Sequence, residues 1–331
     1  MPGVHPRVHE VTGIGMLNIS YPVHEGRHGR AGKVTGTGFP PLDQHRHQDV
    51  EVHLILRGEI HYLLENRVAR VKAGGMTWIP SNHRHSMTTA VGSHVFWSLR
   101  CGSELFSRLR SAPGFDAVLN GSVSSILSRH IAQADADRLS TLFEMVAAGG
   151  DDEARFEAGL AYAFLQCWHL YLSSDQESLW SSAHPAVERA ASLIRDDPSV
   201  QTVAEVARHA GLTQPRLTRL FREQIGISIL DYRNQQRLQR AIKLYGPGQR
   251  FTLQQVADTA GFTSYGHFHR VFKHWMGISP ADYARSVRNA TGSSAAHNLA
   301  APVMALTEHT AGSVDDTGHV PISSGVLAGS H

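Results

Sequence analysis

Apolar and polar positions along this chain follow two different periods, and the change of period divides it. Up to about Arg110 the apolar runs are short and cut by turn residues: Glu51–Leu56, Arg57-Gly58, Glu59–Leu64, Glu65-Asn66, Arg67–Val71, Ala73-Gly74-Gly75, Met76–Ile79. Runs of about five residues with turns this frequent predict the strands of an all-β sandwich or barrel. From about Ala132 the spacing becomes helical, with Leu139, Leu142, Phe143 and Val146 on one stripe and Phe156–Leu172 apolar on more than one face. These predict a helical pair that ends near Ser173–Ser182, a Ser-rich stretch that reads as a linker. From His184 to Ser286 the pattern is helical throughout, and Thr291–His331 is rich in Ala, Gly, Ser and Thr. That last composition buries too little apolar surface to offset chain entropy, so a disordered tail is expected.

The helical region contains a repeat. Val203-Ala-Glu-Val-Ala-Arg-His-Ala-Gly211 matches Leu253-Gln-Gln-Val-Ala-Asp-Thr-Ala-Gly261, fifty positions on. Each glycine is followed by a second helix, Gln214–Gln224 and Tyr265–Trp275, and then by Gly226-Ile-Ser228 with Asp231-Tyr232, or Gly277-Ile-Ser279 with Asp282-Tyr283, now fifty-one apart. Val203, Val206 and Ala207 make an apolar stripe, and Gly211 supplies the positive φ of a sharp helix end. Thr213 stands at the N-cap position, and Leu217, Leu220 and Phe221 turn inward. Leu253, Val256, Ala257, Gly261, Phe268, Val271 and Phe272 repeat the scheme, with Tyr232–Tyr245 as a connecting helix. Outward-facing candidates are Gln214, Arg216, Thr218, Arg219 and Arg222 on one second helix, and Tyr265, His267, His269, Arg270 and Lys273 on the other. Such side chains read base edges or hold phosphates. A pair of helical hairpins with basic surfaces is the plainer alternative.

The run from Gly261 through Phe268, Phe272, Gly277 and Pro280 to Tyr283 resembles the AraC-family signature, and the likeness extends over about Pro185–Arg288. The resemblance implies two helix-turn-helix units joined by a helix and entering successive major grooves, about 34 Å apart. It further implies promoter DNA and RNA polymerase as partners, a homodimer, and a small-molecule effector. Pro215 and Gly266 depart from the pattern by offering no contacting side chain, which shifts base reading toward Thr218, Arg219, His269 and Arg270.

The front of the chain carries a second constellation: His45-x-His47-x-x-x-Glu51, then Gly58, then Gly74, Pro80 and His85. It is similar to the two cupin motifs, with Asn82 where glycine is usual and Thr89 where asparagine is. The likeness maps metal-ligand positions onto His45, His47, Glu51 and His85 and implies a small β-barrel. Strand alternation independently puts His45, His47, Glu51 and His53 on one face. Three imidazoles and a carboxylate suit a divalent transition metal. They also suit the hydroxyls of a sugar, and Val50–Asn66 is especially similar to sugar-operon regulators of the AraC family. Effector binding therefore falls to His45, His47, Glu51, His53, Trp78 and His85, with Tyr62 and Arg46 as possible additions. A metal at His45, His47, Glu51 and His85, a metal-dependent cupin enzyme fused to a DNA-binding domain, and merely structural histidines remain as alternatives.

Charge supports the division. His184–Ala290 holds 15 Lys and Arg against 8 Asp and Glu, a balance of +7, whereas the remainder holds 16 against 21, a balance of −5. Only Cys101 and Cys167 are present, in no thiolate-zinc spacing, which fits a reducing cytoplasm. No apolar run of about 18 residues predicts a membrane span, no secretory signal is expected at Met1–Glu10, and no phosphate loop or nucleophile elbow appears. The expected architecture is α+β and multidomain: a cupin-like β-barrel sensor over 1–110, a helical dimerisation and linker segment over 111–183, an all-α tandem helix-turn-helix over 184–290, and a tail over 291–331. The expected function is effector-responsive transcription regulation, as an activator, without catalysis.

Overall fold

A computed structural model describes residues 11–14, 17–19, 24–26, 28–36, 44–109, 128–148, 152–174, 179–199, 202–245 and 251–290. The expected tail over 291–331 lies outside these residues. Among the described residues, ten strands form the N-terminal part: β1 (Val11–Ile14), β2 (Leu17–Ile19), β3 (His24–Gly26), β4 (Gly29–Gly36), β5 (Val50–Leu64), β6 (Arg67–Lys72), β7 (Gly75–Ile79), β8 (His85–Cys101), β9 (Ser128–His130) and β10 (Trp180–Ser182). They make one sheet in the order β1-β2-β4-β8-β5-β6-β10, with β3 beside β4 and β7 between β5 and β9. The strand class is as the turn pattern predicts, but closure is not. Among the described residues the path ends at β1 and β10, so the sheet is open and the expectation of a closed barrel is corrected.

Much of that difference lies in two long strands. The turn at Arg57-Gly58, expected to separate two strands, is instead a bend inside β5, which stays paired with β8 from Val50↔Cys101 to Leu64↔His85. The register shifts on either side of Arg57. Gly58 holds φ 85°, and a Cβ there would meet the Ser93 carbonyl oxygen at 2.7 Å, so only glycine fits the bend.

Side chains alternate along β5. Val50, Val52 and Leu54 face one way, into a core shared with Trp78, Trp97 and Leu99 and with Phe143, Phe156, Phe164 and Trp168. Phe143, Phe156, Phe164 and Trp168 come from the helical pair α2 (Gln133–Ala147) and α3 (Glu153–Ser173), which follow the short α1 (Ser103–Arg108). The pair thus belongs to the same core as the sheet; the expected 110/111 division lies outside the described residues. The Ser-rich linker is also corrected: Trp180–Ser182 pairs with Arg67–Ala69. Trp180 is buried there and its indole nitrogen donates to Ser128 Oγ at 2.6 Å, which holds the segment as a strand.

Among the described residues, seven helices follow: α4 (Pro185–Asp196), α5 (Val203–Ala210), α6 (Gln214–Ile225), α7 (Ile229–Lys243), α8 (Leu253–Thr259), α9 (Tyr265–Met276) and α10 (Pro280–Ala290). The connecting helix α7 serves two cores. Ile229 and Tyr232 join Val206, Ala210, Leu217 and Phe221 in the first, while Leu238, Ala241 and Ile242 join Val256, Phe268 and Phe272 in the second. Each fully buried Leu or Phe contributes about 1.5–3 kcal/mol, so two compact units hang on one rod. Leu63 and Val68 of the sheet enter the first core as well.

Candidate nucleic-acid interface and ligand centre

Both helix-turn-helix units are punctuated by their own side chains. Thr202 and Glu205 cap α5 reciprocally, and Thr252 and Gln255 do the same for α8. Gly211 closes α5 at φ 76°. Gly261, at φ 88°, follows α8, and a Cβ on it would meet the Pro198 carbonyl oxygen at 2.7 Å. Ser264 caps α9 by accepting from the His267 amide at 3.2 Å. Thr213 occupies the N-cap position of α6 without a side-chain cap bond. These caps fix where the second helices begin, and their phase follows. Leu217, Phe221 and Ile225 are buried on α6, and Phe268, Val271, Phe272 and Met276 on α9.

The opposite faces are open. Gln214, Arg216, Thr218, Arg219 and Arg222 are all exposed, as are Arg270 and Lys273. Gln214, Pro215, Thr218, Arg219, Arg222 and Glu223 line a shallow cleft along α6. Tyr265, His267 and His269 are half-buried: the His267 ring lies 5.5 Å from Phe262, and Tyr265 lies 6.0 Å from Phe268. Burial first, and then Arg237, Arg270 and Arg233, lower the His267 pKa, which favours the neutral ring.

The other constellation is buried in the sheet. Glu51 is fully enclosed. Its Oε1 accepts from His53 Nε2 at 2.8 Å, Ser98 Oγ at 2.7 Å and Arg100 Nε at 3.2 Å. Its Oε2 lies 3.2 Å from His47 Nε2 and 3.5 Å from His85 Nε2. Burial by itself would raise the Glu51 pKa, but the charges of Arg100 and His53, with hydrogen bonds from His47 and His53, hold it well below the usual carboxylate range. His45 is tied to His85 by a reciprocal backbone bridge, N–H to O=C at 3.0 and 2.9 Å. One ring nitrogen from each of His45, His47 and His85 lies within 4.8 Å of the others.

Residues 31–149 match the family model for an AraC-like ligand binding domain, and residues 206–286 match that for a helix-turn-helix domain. The chain belongs to the AraC family. This AraC-family chain is 34% identical over 157 residues to the arabinose operon regulatory protein of Escherichia coli (strain K12), covering 46% of this chain and 52% of the relative. It is also 34% identical over 154 residues to the protein of the same name from Salmonella typhimurium (strain LT2), covering 46% and 54%. The chain spans about half the length of the curated relatives it matches. Among solved structures, fatty-acid-bound ToxT from Vibrio cholerae matches over 79% of this chain and 96% of its own at 16% identity, with a TM-score of 0.32.

Of the effector residues expected from the AraC and cupin likenesses, His45, His47, Glu51, His53 and His85 do come together. Trp78 does not. It turns to the other face of β7 and packs on Phe164 and Trp168, with ring centroids 5.7 and 5.5 Å away. One-residue alternation puts it in the helix-facing core, which corrects its assignment as an effector contact. Tyr62 is inside, its hydroxyl 2.9 Å from His53 Nδ1, while Arg46 is exposed. The metal that the cupin likeness implies fits the donor set, because ring nitrogens of three histidines converge with a carboxylate oxygen that, among the described residues, takes no amide or hydroxyl donor on Oε2.

Two groups were missed by sequence reasoning. Gln235, Gln236, Arg237 and Gln239 are buried on α7, where a polar run reads as solvent-facing. Thr88 is buried on β8 against the helical half. Only the coincidence of a polar run with the junction of two repeats signals the first, and no local pattern signals the second.

Proposed function

We propose that this chain is a sequence-specific DNA-binding transcription regulator, acting in the cytoplasm as an activator, whose sheet domain senses a small effector. The observation that carries the reading is the equivalence of Arg219 and Arg270. They lie fifty-one residues apart, the spacing of the repeat, and both are exposed on second helices whose buried faces point away from them. A guanidinium so placed suits bidentate recognition of guanine.

The operon named for the matched relatives supports a sugar as effector, and the buried polar face of His53, Tyr62 and Glu51 offers partners for hydroxyl groups. The histidine cluster, with ring nitrogens of His45, His47 and His85 within 4.8 Å of one another, supports a divalent transition-metal ion as a second ligand class. Homodimerisation through the helical pair is supported by Met145, Tyr162 and Leu172, exposed apolar side chains of α2 and α3. Contact with RNA polymerase is proposed from family membership.

Selection of bound duplexes from a random library tests the central reading. The parent is expected to enrich two half-sites one helical turn apart. Arg219→Ala or Arg270→Ala is expected to cost about 1–3 kcal/mol and to relax one position in the corresponding half-site. Enrichment of no motif by the parent would overturn it.

A further inference from the structure

A cavity of about 430 Å³ lies where the sheet meets the helical half, within the size range of small-molecule sites. Its apolar wall is made by Leu63 of β5, Val187 and Ala191 of α4, and Ile225 at the end of α6, all buried. Charges of both signs stand around that wall. Glu65, in the turn between β5 and β6, and Arg84, just before β8, come from the sheet, while Glu188 and Arg195 come from α4. Glu65, Arg84 and Glu188 are exposed, so their charges are open to a ligand.

One buried group in the lining lacks a partner. Gln44 is 9% exposed and lines the same cavity. Its Oε1 accepts from the Arg195 guanidinium, which also reaches Ser192 Oγ at 3.0 Å. A guanidinium only donates, so it fixes which way the carboxamide points and leaves Nε2 as the remaining donor. Among the described residues that Nε2 has no hydrogen-bond partner. A buried donor without an acceptor is costly, and an acceptor on a ligand completes it. Arg195, half-buried beside it, favours a carboxylate as that acceptor.

Fixed charges of both signs select a ligand that carries both. A simple carboxylic acid sets its charge against Glu65 and Glu188 with nothing to offset it. An amine brings its ammonium to Arg84 and Arg195, and a neutral sugar offers none of these groups a counter-charge. We propose that the junction cavity binds an apolar α-amino acid, its carboxylate held by Gln44, its ammonium by Glu65 and Glu188, and its side chain by the apolar wall. The occupant touches the sheet, α4 and α6 at once. The carbonyl oxygens of Ile194 and Arg195 accept from Arg240 of the connecting helix at 2.9 and 2.6 Å, so binding braces the sheet against the whole helical half. The site lies outside the histidine-lined interior of the sheet, and its occupation does not depend on DNA binding.

The test is isothermal titration of the full chain with L-leucine, L-isoleucine and L-valine, each alone, and with isocaproate and isoamylamine, which keep the leucine side chain and one charge each. One site per chain is expected for at least one amino acid. Its affinity is expected to exceed that of either analogue by about ten-fold, the effect of one lost charge-assisted hydrogen bond. Uptake of none of the amino acids, or isocaproate bound as tightly, overturns the proposal. Glu65→Gln combined with Glu188→Gln changes exposed side chains and leaves the core alone; it is expected to erase the advantage over isocaproate. Gln44→Leu is expected to weaken amino acid and isocaproate alike. An amino acid bound equally well by the parent and the doubly substituted chain sits elsewhere and overturns the site. Hydrogen exchange over 185–196 locates the ligand without any substitution. The amino acid is expected to slow it in the parent, and binding that leaves it unchanged overturns the junction site.

Discussion

The hydroxyl of Thr88, on strand β8, donates to the carbonyl oxygen of Ile225, in the last turn of α6, across 2.7 Å. Gln235 of the connecting helix reaches the Thr88 carbonyl at 3.4 Å. Helix C-terminal carbonyls lack intrahelical partners, so the sheet satisfies a group that the second helix of the first unit leaves open. Thr88→Val keeps the shape and deletes the donor. Leaving a buried carbonyl unsatisfied costs about 1–3 kcal/mol, and a lower denaturation midpoint with faster hydrogen exchange at the end of α6 is expected. A variant as stable as the parent would show that water or another donor takes over.

His61 gives the same junction a pH dependence. Its Nε2 lies 2.6 Å from Glu59 Oε1, and Gly226 is so close that a Cβ there would meet His61 Nδ1 at 2.3 Å. Facing it are Glu59 and Arg70 from the sheet, Thr89 across the strand pair, and Gly226 from the helical half. Burial lowers its pKa from 6.5, Glu59 opposes by hydrogen bond and charge, and Arg70 lowers it further. The unfolded chain therefore binds the proton at higher pH than the folded one. Stability is full above the ordinary histidine range and falls as pH drops through about 6.5 toward the folded value. Thermal melting at pH 8 and pH 5.5 is expected to show a smaller loss for His61→Gln than for the parent. Equal losses would place the sensitivity elsewhere, at His85 or His94, whose pKa values burial also lowers.

Trp78 separates core from ligand contact. It is fully buried against Phe164 and Trp168, so Trp78→Ala is expected to cost about 3–5 kcal/mol in urea denaturation. Trp78→Phe, which preserves most of the apolar volume, is expected to keep both fold and metal stoichiometry. Loss of metal binding in a folded Trp78→Phe variant would return Trp78 to the site.

The repeat was the most legible part of this chain because its information is local. Val206, Gly211, Leu217 and Phe221 specify one unit within a few turns, and Val256, Gly261, Phe268 and Phe272 specify the other. His45, His47, Glu51 and His85 were legible as a set through the cupin likeness, with strand alternation supporting a shared face. Trp78 misled because its side of the sheet depends on the register of β7 with β5, where it stands opposite Val52, and no run of five residues encodes that. Thr88, Gln44 and Arg195 were invisible for a stronger reason: their roles exist only across the junction between the sheet and the helices, at sequence separations of about 137 and 151 residues.

Salt dependence tests how the two reading faces divide their labour. Arg216, Arg219, Arg222, Arg270 and Lys273 are the exposed cations among the residues assigned to DNA. Each one that neutralises a phosphate releases condensed counterions and adds about −0.9 to the slope of log affinity against log salt. If Arg219 and Arg270 read bases and the other three hold phosphates, those three contribute about −3. Arg222→Ala and Lys273→Ala are then each expected to flatten the slope by about 1 and to weaken all duplexes alike. Arg219→Ala and Arg270→Ala are expected to leave the slope nearly unchanged while erasing preference at one base pair. Fluorescence anisotropy with the full chain on specific and scrambled duplexes, from low to physiological salt, measures both quantities. A slope that drops for Arg219→Ala but not for Arg222→Ala would reverse the two roles, and a parent indifferent to salt would remove DNA from these faces altogether.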